Sequence, residues 1–306
     1  GIIYEIPYIR NIFYIPMIQV YGLNHFDMGM LSATYALVSA ISYLFSGFIA
    51  VRFSWKKMLA LSFLSTGAVG FLLSFASTYL QLLFGFAVLG VTTVLPYFSP
   101  SMCINNTLHA VPENLRFIRF LNAVRGITSA AIVVLCAAFF ILLGGDRFGM
   151  RMVILTYSVI SVGFGVFILL FFPQFEQKNL QIQVTFLDFF KMKVFRNLLK
   201  KAYIKRWCLL IATSFSIYIF IGSCIPLLVL RYNYLVNLTL LLGVLRYLAS
   251  SLAAVIGVLL SEHSPHHQSI LLWGYIISLA CMLLLLQIPE VTAFVPIVII
   301  IFLMLC

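Results

Sequence analysis

Apolar runs of about 20 residues, each closed by a short polar connection, recur from one end of this chain to the other. A helix rises about 1.5 Å per residue, so each run reaches across the roughly 30 Å of hydrocarbon in a bilayer. Composition agrees, because 63% of the 306 residues are hydrophobic and only 9% are charged, with a mean hydropathy of +1.11. These values lie outside the range of a soluble domain. A membrane barrel would instead show alternating segments of about 10 residues, so the backbone is expected to satisfy itself as helices. The fold class is an all-α membrane protein built as a helical bundle.

Ten spans are read, at 1–23, 28–50, 57–76, 79–103, 117–143, 150–172, 207–230, 236–260, 268–287 and 290–306. The connections after the second, fourth, sixth and eighth carry, in turn, Arg52, Lys56 and Lys57; Arg116; eight basic residues within 178–206; and the segment EHSPHH. The net charge of +11 is therefore the positive-inside pattern, which sets these connections in the cytoplasm and removes the case for a nucleic-acid partner. Arg147 and Arg151 run against that rule in a connection on the other side, outnumbered by the eight.

The basic stretch FLDFFKMKVFRNLLKKAYIKRW interleaves aromatic and cationic residues, as a helix lying on anionic membrane lipid does. It divides the chain into an N-terminal six-helix half (1–173), a cytoplasmic linker (174–206) and four helices of a second half (207–306). Adding 210 to the numbering carries Tyr8 to Tyr218, Pro16 to Pro226, Leu31 to Leu241 and Gly47 to Gly257. Repeated halves of this kind are the architecture of many secondary transporters, with the substrate between them at the midplane. Gly1 in place of a methionine and the closing apolar run IFLMLC read as interior positions of a longer chain, with about 10 helices present of an expected 12.

Charges inside the spans locate a candidate site. Arg10 stands about 13 residues, or roughly 20 Å, from the outer end of its span, too far to reach water along its own stem. Arg125 sits about two turns inside the fifth span, and Arg246 lies well inside the eighth. Each arginine costs about 2.5–3.5 kcal/mol at a helix centre, so the three imply a polar cavity or partners. Glu5 is the plainly intramembrane carboxylate, and one carboxylate leaves an excess of positive charge suited to carboxylate or phosphate oxygens. Carboxylates taken out of water hold a proton more readily, which makes Glu5 the proton-coupling candidate; a structural ion pair with Arg125 is the alternative. On a regular helix Tyr4, Tyr8 and Asn11 share one face, and Arg10 and Tyr14 another.

Between the second and third spans lies GFIAVRFSWKK, residues 47–57. It resembles the loop motif of the major facilitator superfamily, G-x-x-x-D-R-x-G-R/K-R/K. Gly47, Arg52 and Lys56 match, Lys57 extends the basic end, Val51 replaces the acidic residue and Ser54 the second glycine. The resemblance implies a two-halved bundle working by alternating access. The family's acidic residue helps to lock the inner gate, so Val51 implies a weakened lock. The stretches IIYEIPYIRNIFYIP and RFLNAVRGITSA also resemble the sugar-phosphate-permease and organophosphate antiporter branch, in which arginines of the first and seventh helices clasp a phosphate. Arg10 matches the first of these, and the body of span 207–230 holds no arginine to match the second.

Other chemistry is poorly supported. The six cysteines form no CxxC pair and lie mostly in apolar runs, as buried thiols do. EHSPHH reads as a solvated loop, GGDRFGMR at 144–151 as an ordinary turn, and no GxxxxGK[ST] loop or Ser/His/Asp array is evident. The expectation is a monomeric, cofactor-free carrier of a small organic anion, coupled to H+ or a counter-anion, in the plasma or inner membrane. A non-transporting anion sensor, an inactive remnant, and a carrier for a neutral sugar or drug are the competing readings.

Overall fold

The computed structural model describes residues 2–109 and 115–172, together with isolated positions between 201 and 283. Described helices are a 3-10 turn at Ile2–Tyr4, then α1 (Arg10–Tyr21), α2 (His25–Arg52), α3 (Trp55–Ser74), α4 (Tyr79–Thr92), α5 (Phe98–His109), α6 (Leu115–Leu142) and α7 (Arg147–Phe171). No strand occurs among the described residues. Three of these helices, His25–Ala50, Trp55–Ser74 and Arg147–Phe171, are long and apolar enough to cross a membrane. Large apolar side chains such as Leu37, Leu44, Leu72 and Phe167 stand on their outer surfaces, where lipid rather than water is the natural neighbour.

The first segment is not a continuous helix. Isoleucines recur at 3, 6, 9 and 12, a three-residue period that matches 3-10 geometry. All four are buried. The backbone follows that period with i to i−3 bonds: Glu5, Ile9 and Ile12 donate to the carbonyls of Ile2, Ile6 and Ile9 at 3.1, 3.2 and 3.2 Å. Pro7 has no N–H to support an α-helical ladder here, and Pro16 breaks the next turn, where Phe13 takes non-helical angles of φ −100 and ψ 33. Irregular backbone at membrane depth persists only where protein or a polar cavity covers it. Protein covers it here, because Ile6, Ile9, Phe13 and Met17 form a core with Leu31 and Tyr35 of α2, Leu82 and Leu89 of α4, Phe140 of α6 and Tyr157 of α7.

The expected fourth span, 79–103, divides as well. Its turn at 93–97 contains Pro96, which cannot donate to the carbonyl of Thr92. The Ser62 hydroxyl of α3 donates to that oxygen instead, at 2.6 Å.

Small residues set the closest helix pairs. A Cβ at Gly67 of α3 would lie 2.6 Å from Val162 Cγ2 and 2.8 Å from the Ser158 carbonyl oxygen of α7. Gly90 of α4 meets the Tyr35 carbonyl oxygen of α2 in the same way, at 3.0 Å. Without a hydrophobic drive between helices in lipid, such close approach is what holds them. The N-termini of α2 and α4 are capped by side chains. Asn24 and Asp27 form a reciprocal capping box at the start of α2, as Thr78 and Gln81 do for α4.

The hinge between α2 and α3 is only two residues long, since α2 ends at Arg52 and α3 begins at Trp55. The Trp55 indole closes it by donating to the Ala50 carbonyl at 3.2 Å. The Arg52 guanidinium lies 4.2 Å over the Phe48 ring. Lys56 is half-buried in the first turn of α3. Position 51 belongs to the last turn of α2, and the side chain of Val51 lies outside the described residues.

Candidate functional site

Arg10 opens α1 at the point where irregular backbone passes into helix. It is half-buried and acts electrostatically on Tyr14, one turn further along. Tyr14 in turn donates to or accepts from His25 Nδ1 at 3.0 Å, with the two rings stacked 5.8 Å apart. Asn11 is half-buried beside them in sequence.

On the other side of the segment, aromatic rings run in an unbroken file across four elements. Phe63 of α3 meets Tyr97 at 5.9 Å, Tyr97 meets Tyr4 at 5.7 Å, Tyr4 meets Tyr8 at 6.4 Å, and Tyr8 meets Tyr35 of α2 at 5.7 Å. A polar contact ties the file down at one end, where the Tyr35 hydroxyl is 3.2 Å from Thr93 Oγ1, and Tyr43 of α2 lies within electrostatic reach of Tyr4. Tyr35 lies ten residues into α2, or about 15 Å, close to half the thickness of the hydrocarbon. At that depth the rings pack edge to face on one another, and the Tyr35 hydroxyl is bonded within the bundle.

Glu5 is only 4% exposed. It acts electrostatically on the Cys136 thiol of α6, and Cys136 and Tyr157 of α7 are both buried in the core that covers the segment. Glu5 thus stands within electrostatic reach of α6, while Tyr4 and Tyr8 engage α2 and the 93–97 turn. Position 125 lies on α6, eleven residues or about 16 Å along the helix from Cys136. The Arg125 side chain and the whole of Arg246 lie outside the described residues. Gly47 is exposed on α2, and a Cβ there would have 4.0 Å of room to Ser99 Oγ, so close packing does not require its glycine.

Tyr35, Tyr43, Thr93 and Tyr97 belong to the same array without having been singled out by the sequence. One signal was present in α2, where Tyr35, Ser39, Ser42 and Ser46 recur at helical spacing. All four are buried in the bundle. Among the described residues no group of three or more His, Cys, Asp or Glu side chains is placed to hold a metal.

A family model described as Major Facilitator Superfamily matches residues 8–306. The chain is 26% identical over 167 residues to the inner membrane protein YqcE of Escherichia coli (strain K12), covering 54% of this chain and 39% of that protein. It is 24% identical over 295 residues to the inner membrane protein YihN of the same organism, covering 95% of this chain and 69% of the relative.

Proposed function

Because the chain belongs to the Major Facilitator Superfamily, a family of membrane transporters, we propose that it is a secondary carrier moving a small organic anion, a carboxylate or phosphorylated metabolite, by alternating access. The observation that carries this reading is Arg10, a half-buried guanidinium at the break in a membrane-embedded first segment. Discontinuous helices at the midplane are where secondary transporters bind substrate. A guanidinium there presents a planar fork matched to two anionic oxygens. Tyr8, Tyr14 and Asn11 are proposed to supply further polar contacts, and Arg125 and Arg246 are proposed as additional cations of the same site. Glu5 is proposed to couple transport to H+, with a counter-anion as the alternative. The inner-membrane relatives favour the same compartment for this chain, with the 174–206 linker on the cytoplasmic side and a monomeric assembly.

The test is uptake into proteoliposomes by Arg10→Ala and Arg246→Ala proteins that elute as folded monomers. Loss of uptake in each is expected; uptake at the level of the unaltered protein in both would sink the assignment. A sensor that binds the same anion without moving it is favoured by Val51 in place of the motif's acidic residue. Substrate counterflow separates the two, since a sensor gives none.

A further inference from the structure

The end of the bundle opposite the α2–α3 hinge carries a cavity of about 390 Å³ lined by Tyr21, Phe75, Asp146, Arg147 and Arg151 among others. Tyr21 closes α1, Phe75 follows α3, and Asp146 to Arg151 begin α7, so three elements end together around it. The cationic groups have a defined setting. The Arg151 guanidinium rests 4.0 Å over the Phe75 ring. Tyr21 lies within electrostatic reach of both arginines. Asp146 lines the same cavity, its Oδ1 accepting from the Gly149 amide at 3.0 Å as the cap of α7, and its single charge offsets one of the two arginines.

By ordinary rules these arginines are misplaced three times over. They carry positive charge on the side of the membrane that the positive-inside pattern keeps poor in it. They stand four residues apart on one helix, where like charges repel. Arg147 also opens α7, where the helix macrodipole disfavours a cation. An anion held between them relieves all three costs at once, and a tyrosine hydroxyl supplies a neutral donor to it. The cavity volume would admit a phosphate group with room for its substituent.

We propose that Tyr21, Arg147 and Arg151 form a binding site for a phosphate-bearing anion, separate from Arg10 and on the face opposite the basic hinge. Two sources offer that chemistry, a free phosphate compound and the headgroup of a lipid in the facing leaflet. The site is independent of the transport reading, because none of its residues belongs to the Arg10 array.

The test uses the full-length protein in nanodiscs and reads thermal unfolding in two arms. One arm titrates inorganic phosphate against chloride at equal ionic strength in phosphatidylcholine discs. The other compares discs with and without phosphatidylglycerol. The basic linker contributes a lipid response common to all variants, so the quantity read is the difference between the unaltered protein and R147Q/R151Q. About a tenfold loss of phosphate affinity in the double variant assigns a soluble anion. Loss of part of the phosphatidylglycerol-dependent rise in Tm assigns a headgroup. Identical responses of the two proteins in both arms would overturn the proposal. Should R147Q/R151Q not fold, Y21F and R151Q are read in its place, and responses unchanged in both overturn it equally.

Discussion

The Ser62 hydroxyl donates to the Thr92 carbonyl oxygen at 2.6 Å, and that oxygen is the one Pro96 leaves without a helical donor. One side chain of α3 therefore stabilises a break between α4 and α5 that brings Tyr97 against Tyr4. Ser62→Ala removes the donor and leaves a buried carbonyl at membrane depth. A loss of about 1–2 kcal/mol is expected, near the upper end for interhelical bonds in membranes. In a Pro96→Ala background the restored N–H can serve Thr92, so the same Ser62→Ala change should cost much less. Thermal unfolding of the four proteins of this cycle measures the coupling, and additive effects would contradict it.

The α3–α7 contact makes a sharper stability prediction. Ala at Gly67 would press its methyl against the Ser158 carbonyl, backbone that cannot rotate away. Overpacking of this kind costs about 1–3 kcal/mol. Gly163, also on α7, has nothing within 4 Å of the corresponding Cβ position. Gly163→Ala should therefore be neutral or slightly stabilising, by helix propensity alone. A lower Tm for Gly67→Ala beside an unchanged or raised one for Gly163→Ala is the expected pair.

Where helices are long and uniformly apolar, sequence reading and structure agree closely: 28–50 corresponds to His25–Arg52, 57–76 to Trp55–Ser74 and 150–172 to Arg147–Phe171. Agreement fails at proline. Averaged hydropathy over 1–23 and 79–103 does not register Pro7, Pro16 or Pro96, whose effect is on the backbone donor rather than on solubility. The three-residue isoleucine period in the first segment was the readable sign of its 3-10 character. For the site, Glu5, Tyr8, Arg10 and Tyr14 were legible as polar groups in an apolar run. Tyr97 was not, because a tyrosine in a membrane segment is equally at home packing helix to helix, and only the turn at Pro96 directs it to Tyr4.

Glu5 and Arg10 are given different roles in the proposed carrier, and this separates their expected phenotypes. Arg10→Ala should remove substrate binding, whereas Glu5→Gln keeps the shape of the side chain and removes its charge. In proteoliposomes, uptake by the unaltered protein should rise with an inwardly directed proton gradient. Glu5→Gln should lose that dependence and keep counterflow at equal pH on both sides. Loss of both activities, or of neither, would argue against coupling through Glu5.

Position 51 yields the last prediction. The hinge is short and already braced, by the Trp55 indole on the Ala50 carbonyl and by Arg52 over Phe48. What it lacks is the carboxylate that the superfamily motif carries in the last turn of α2, since Val51 occupies that place. A helix C-terminus disfavours negative charge, so a carboxylate there is retained only with a cationic partner or a strong hydrogen bond across the gate. Supplying it should add such a contact in the outward-facing state and leave the inward-facing state without one. Val51→Asp is accordingly expected to slow inward opening and to lower the labelling rate of a single cysteine introduced on the hinge side of the central cavity. An unchanged labelling rate would show that this chain closes its inner gate by other contacts.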